Sequence, residues 1–154
     1  MTNIETKKEV SVSRTFNAPI ALVWEAWMEQ KHVANWWGPK GFTNPVCEWN
    51  PHVGGNILIH MKAPDGVIYP MDGTFLEITK PEKIVFSGAA LDKQDNRLFE
   101  QLTAISFKEV NGNTEITVRM TFSKVRPEAE MHLAGATMGW NQSFDKLAEL
   151  LEKI

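Results

Sequence analysis

The side chains best suited to chemistry in this sequence are four histidines, one cysteine and a few acids inside strand-like segments. His32, His52, His60 and His132 show no H-E-x-x-H spacing, and Cys47 has no second cysteine for a C-x-x-C pair. Glu128 and His132 stand one helical turn apart, but two donors do not make a metal site, so neither metal nor cofactor is expected. His60 lies in a segment whose apolar phase is Ile57, Ile59 and Met61, which turns the imidazole to the opposite face; a one-residue slip or a bulge would bring it inward. Asp72, Glu77 and Glu100 are the acids nearest strand centres. Buried, one of them would be a general acid with a raised pKa; outward-facing or salt-paired carboxylates are the default expectation. Cys47, beside Val46, reads as a small buried hydrophobe rather than a nucleophile. A Ser-His-acid triad assembles in space and is not readable from sequence order.

The apolar residues say more. Six tryptophans, eight phenylalanines and seven methionines accompany a single tyrosine. Aromatic rings carry large apolar area and methionine adapts to irregular space, so the core is either bulky throughout or built around a cavity. A chain of 154 residues is the size of one domain. Hydrophobic residues at 43%, charged residues at 23% and a net charge of −3 with both signs interspersed argue against disorder and against a nucleic-acid surface. No run of apolar residues is long enough to span a bilayer. The polar start and the lone cysteine fit a cytoplasmic setting.

The periodicities supply the scaffold. Residues 1–8 read as a flexible start, and 9–154 as a single domain. Val10, Val12 and Phe16 alternate with polar residues, a half-buried strand interrupted in phase by Arg14. Pro19 suits a first helical position, and Ile20, Val23, Trp24, Trp27 and Met28 fall on one helical face. A second short helix over 31–37 is stopped by Gly38 and Pro39. Strand-like segments follow at 56–62, 67–78, 83–87, 98–108 and 113–123, with an apparent strand around Val46 and Cys47. They are separated by Pro64-Asp65-Gly66, Lys80-Pro81-Glu82, a polar loop from Asp92 to Arg97, and Asn111-Gly112. From Pro127 to about Glu152 the pattern predicts one helix roughly 39 Å long. Strands segregated from helices give an α+β layer fold, with the long helix on the dry face of an antiparallel sheet.

That helix changes character along its length. Trp140, Phe144, Leu147 and Leu151 form a tight seam, whereas the first half offers Met131, Gly135, Met138 and Gly139. The dry sheet face offers Ile57, Ile59, Met61, Met71, Ile116, Val118 and Met120, and Trp24, Trp27, Trp36 and Trp37 would form a wall or lid. Methionine and glycine suit a yielding, partly hollow region, so these residues are the expected lining of an apolar pocket. The alternative is that Met and Trp fill the gap. Gly135-x-x-x-Gly139 lacks the apolar 20-mer of a membrane dimer motif and would instead thin one side of the helix.

Phe16-Asn17-Ala18-Pro19, Val23-Trp24-Glu25-Ala26-Trp27 and Trp36-Trp37-Gly38-Pro39 together resemble the opening of the START-like (SRPBCC) helix-grip superfamily. Gly54-Gly55, Pro64-Asp65-Gly66, Glu77-Ile78, Pro81 to Phe86, Gly139-Trp140 and Leu150-Leu151 follow in matching order. The closer resemblance is to the branch named for the C-terminal domain of the activator of the heat-shock-protein-90 ATPase. It spans roughly residues 9–153 and implies a β-α-α-β6-α helix grip, a curved antiparallel sheet wrapped around a long C-terminal helix. It also implies an apolar cavity between sheet and helix, with a small lipid-like or aromatic molecule as partner. A polyketide cyclase or aromatase activity, and a chaperone-interaction or homodimerisation module, are the alternatives the resemblance leaves open.

Overall fold

The computed structural model describes residues 8–154. The expected loose segment 1–8 therefore lies outside the described residues except for Lys8, which opens the first strand. Strand β1 spans Lys8–Phe16, and helices α1 (Ile20–Met28) and α2 (Gln30–Trp36) follow. Six strands come next: β2 (Thr43–Trp49), β3 (Asn56–Lys62), β4 (Ile68–Thr79), β5 (Lys83–Leu91), β6 (Arg97–Val110) and β7 (Asn113–Ser123). All seven strands form one antiparallel sheet in the order β1-β7-β6-β5-β4-β3-β2, a meander whose last strand turns back to pair with the first. This is the α+β helix grip. Register shifts leave an extra residue in β4 between Phe75 and Glu77 and one in β6 opposite Ala90 and Leu91, bulges that add twist and help the sheet curl.

Besides one-residue offsets at α2 and β4, the structure departs from the sequence reading in three places. Strands β5 and β6 are longer than 83–87 and 98–108, because Gly88 to Leu91 keep pairing with β6 although Gly-Ala-Ala is poor strand sequence. Pro19 sits at the N-cap, with extended backbone, rather than inside α1. The single helix expected from Pro127 to Glu152 is broken into a 3-10 turn (Pro127–Ala129), α3 (Glu130–Ala134) and α4 (Ala136–Lys153). The break falls at Gly135, which caps α3 with φ −88° and ψ −3°. Glycine is the weakest helix former after proline, and periodicity alone does not register a one-residue interruption.

Arg14 explains its own departure from the apolar phase of β1. Its guanidinium bonds Asp145 at 2.6 Å and the Asn141 carbonyl at 3.0 Å, and lies 5.7 Å from the Phe144 ring centre. It ties the middle of α4 to the sheet edge. Phe16 packs edge-on against Phe144 at 5.4 Å beside it. Helix α4 thus approaches β1, α1 and α2 most closely, and its first half crosses the central strands at a distance. Lys8 bonds Glu130, and Arg126 donates from its backbone N–H to the Leu98 carbonyl at 3.0 Å, so the chain entering α3 is held to the sheet at two points. Among the described residues no helix is long and apolar enough to cross a membrane.

Candidate functional site

The inner face of the sheet and the C-terminal helices enclose two different kinds of interior. One is filled by tryptophan. Trp27 lies 4.5 Å from Trp36 and 6.2 Å from Trp140, and Trp37 lies 5.4 Å from both Trp49 and Trp140 between ring centres. Two indoles meet backbone acceptors: Trp36 Nε1 donates to the Ala26 carbonyl at 3.0 Å and Trp49 Nε1 to the Trp27 carbonyl at 2.7 Å. Trp24 packs on Phe107 at 5.1 Å. These rings rivet α1 and α2 to the sheet.

The other interior is a cleft of about 570 Å³ between the sheet and the helix break. Its floor comes from alternate residues of the central strands, so each lining side chain is two residues from the next: Tyr69 and Met71 on β4, Phe99 and Gln101 on β6, Met120 and Phe122 on β7. Phe86, Ala90 and Met61 complete it. Met131, His132, Gly135, Ala136 and Gly139 form the roof, and Trp37, Pro39 and Phe42 close the inner end with Trp140. Trp140 Nε1 points at the Met120 sulfur 2.9 Å away, a contact from roof to floor where the cleft meets the packed interior. At Gly139 an added Cβ would stand 3.7 Å from Pro39, so the missing side chain is cleft volume rather than a close-packing requirement. Gly38 takes φ +94°, which favours glycine, and turns the chain after α2 under Met61.

Seven of the fifteen residues named from the sequence as pocket lining border the cleft: Trp37, Met61, Met71, Met120, Met131, Gly135 and Gly139. Trp24, Trp27 and Trp36 are buried in the aromatic cluster instead, and Ile57, Ile59, Ile116 and Val118 lie under the packed interior. Met138 is 66% exposed, on the solvent side of α4. A continuous helix would put Met131 and Met138, seven residues apart, on one face, and the break at Gly135 interrupts that phase between them. Phenylalanines 42, 86, 99 and 122, together with Tyr69 and Gln101, escaped sequence reading. The available signal was phase: Tyr69 is two residues from Met71, and Phe122 two from Met120.

The titratable groups fall outside the cleft's interior. Glu128 and His132 line it but are exposed at its mouth, where the His132 ring lies 5.9 Å from Tyr69 and 6.4 Å from Phe99. His60 and Glu77 do not line the cleft, and Glu77 stands 3.8 Å from Lys83. Glu100, another candidate acid, is held below the usual carboxylate range chiefly by its bond to Lys124, with Arg97 adding to it. Asp92 is likewise lowered, first by the Asn96 backbone N–H. Burial pushes the Cys47 thiol up to about 11, so it stays protonated at neutral pH. Burial also lowers the pKa of Lys146, whose ammonium donates to the Trp37 and Pro39 carbonyls at 3.1 and 3.2 Å and fixes the cleft's inner end to α4. Among the described residues no group of three His, Cys, Asp or Glu side chains could hold a metal ion.

The family described as activator of Hsp90 ATPase homolog 1-like protein matches residues 17–152. Solved structures share the fold: a protein of Chromobacterium violaceum superposes with a TM-score of 0.78 at 24% identity, covering 94% of this chain and 96% of the other. A Silicibacter pomeroyi protein of the same family name gives 0.79 at 21% identity, covering 94% and 98%. One from Arthrobacter aurescens gives 0.79 at 21%, covering 100% and 94%. A Renibacterium salmoninarum protein named phospho-N-acetylmuramoyl-pentapeptide-transferase is 30% identical over 111 residues, and this chain spans only 28% of its length.

Proposed function

This chain belongs to the activator of Hsp90 ATPase homolog 1-like family, and we propose that its function there is to bind a small, largely apolar molecule in the cleft between sheet and helix. The observation that carries the reading is the cleft itself: about 570 Å³, walled by Met, Phe and Trp and roofed by two glycines. Ligand sites of roughly 300–1,000 Å³ are typically apolar with a few polar anchors, and this composition fits. Tyr69, Gln101, His132 and Ser143 are the polar residues available to orient a ligand.

Binding without covalent chemistry is favoured over a cyclase or aromatase reaction by where the proton carriers sit. A general acid or base needs hydrogen-bond reach to the reacting atom. Glu128 and His132 stand at the solvent-facing mouth, and the strand acids Glu77 and Glu100 are paired with lysine or arginine outside the cleft. A chaperone-interaction or dimerisation surface would present a contiguous apolar patch. The exposed large apolar residues are instead spread over the chain: Val53 before β3, Val67, Ile68 and Leu76 at the start and along β4, Leu102 and Val110 on β6, Met131 on α3 and Met138 on α4.

The test is a tryptophan-fluorescence titration with decanoic acid and with flat aromatic compounds, paired with native mass spectrometry of the purified protein. Trp37 and Trp140 line the cleft, so a bound ligand quenches or shifts their emission. Saturable one-to-one binding that disappears in Gly139→Phe is the expected result. Absence of any saturable signal and of any co-purified molecule would overturn the reading.

A further inference from the structure

Gln101 is out of place. It lies on the dry face of β6 between Phe99 and Thr103, paired in register with Gly88 on β5 and Phe122 on β7. The neighbouring inward positions hold Phe86, Phe99, Met120 and Phe122, all buried. A primary amide in such surroundings is costly unless its hydrogen-bonding groups are met. Only half of it is met. The Thr103 hydroxyl, itself 0% exposed, donates to Gln101 Oε1 at 2.7 Å. Gln101 Nε2 donates to no group among the described residues.

The surroundings keep that amide nitrogen open. Its nearest lateral neighbour is Gly88, where a Cβ would stand 3.6 Å from Nε2. Gly88 is a glycine for a different reason, because a Cβ there would come within 2.5 Å of the Asp72 carbonyl. The consequence is that no side chain stands beside the amide on its β5 side. Thr103 fixes the rotation of the amide: with Oε1 held as acceptor, the two N–H donors are the groups left unmet.

From this geometry we infer that Gln101, positioned by Thr103, selects ligands that carry a hydrogen-bond acceptor oxygen on an otherwise apolar body: a ketone, aldehyde, ester or amide carbonyl presented to the cleft floor. The inference rests on the proposal that the cleft binds a small molecule, and it adds what that molecule must contain. A hydrocarbon of the same shape leaves the Nε2 hydrogens unpaired and desolvated, and is penalised for it. A ligand whose inner end is a donor alone leaves the two Nε2 hydrogens unmet and must share Oε1 with the Thr103 hydroxyl.

The experiment uses two probes of nearly one shape, benzophenone and 1,1-diphenylethylene, which differ in C=O against C=CH2. Dissociation constants are measured for both on the full chain and on Gln101→Met, so that the probes' different solubilities cancel in the ratio. The preference for benzophenone should fall by about tenfold in Gln101→Met, the scale of one buried hydrogen bond with its partner otherwise unpaired. Carbonyl-labelled benzophenone bound to the unmodified chain should show its C=O stretch moved to lower frequency. In Gln101→Met that shift should be lost, and in Thr103→Val, where the amide is free to turn, it should be smaller. Should Gln101→Met fail to melt cooperatively, the stretch in the unmodified chain and in Thr103→Val decides. Binding of both probes with the same ratio in the two proteins, or a stretch unmoved from its value in alkane, would overturn the selectivity while leaving the cleft a binding site. Failure of both probes to bind the unmodified chain would overturn the selectivity and the binding site together.

Discussion

Between Trp140 and Leu151 the last helix lies against β1 and the short helices with Phe144 and Leu147 fully buried, whereas from Met131 to Gly139 the same polypeptide roofs about 570 Å³ of cleft. Both stretches face one continuous sheet. What differs is the side chains: Leu, Phe and indole rings on one side, Met, Gly and Ala on the other. Branched and aromatic groups lock into a few rotamers and interdigitate, while glycine and alanine do not reach the sheet. Arg14 and Asp145 pin the packed half, and Gly135 releases the other by breaking the helix. A filled core and a hollow one are thus produced in the same fold by composition alone.

Core truncations should expose this contrast most strongly. Leu147→Ala opens a void in a closed environment and should cost about 3–4 kcal/mol. Met71→Ala enlarges a space already open to solvent and should cost no more than about 1–2 kcal/mol, since less packing is forfeited. Urea unfolding midpoints of the two variants give the comparison. Equal losses would mean that the two interiors are equally packed.

How much of this the sequence revealed depends on the physical signal each residue carries. The strands 56–62 and 113–123 coincide with β3 and β7, because alternation there is unbroken and turn residues bound it. Met- and Gly-rich composition pointed to the roof, and Met61, Met71, Met120 and Met131 do meet across one space. Trp24, Trp27 and Trp36 went to the packed side because an indole's position depends on which α1 or α2 face the sheet curvature reaches, a long-range quantity absent from local periodicity. Met138 went to solvent because it stands two residues before Trp140 on α4, on the side of the helix away from the buried seam. Gln101 is polar, and polarity alone does not show that a strand residue faces inward.

The hinge between the two regions gives the next effect in size. Gly135 has negative φ, and a Cβ would meet only the Met131 and His132 carbonyl oxygens at 3.6 and 3.8 Å. Gly135→Ala should therefore fold normally and stabilise by about 0.5–1 kcal/mol through the lost freedom of the unfolded chain. Because it also stiffens the roof, it should slow ligand release, which stopped-flow displacement would read. A destabilised variant would show that the break itself needs glycine.

Cys47 probes the edge of the packed region. Burial raises its thiol from an ordinary 9.0 to about 11, so the folded protein holds the proton that the unfolded chain gives up. Stability contributed by this group is complete below pH 9.0 and declines as pH climbs toward about 11. At pH 8 iodoacetamide should modify the folded protein on the order of a hundredfold more slowly than the urea-unfolded chain. Matching rates would place the thiol in solvent.

The seven methionines test the central claim directly, because they are distributed over both regions. With methyl-labelled methionine and benzophenone as the probe, the Met61, Met71, Met120 and Met131 methyl resonances should shift together along one saturating curve. Met28, on α1, and Met138, exposed on α4, should stay in place. Shifts shared equally by Met28 and Met138, or none at saturating probe, would contradict a hollow, ligand-accepting cleft between the sheet and the broken helix.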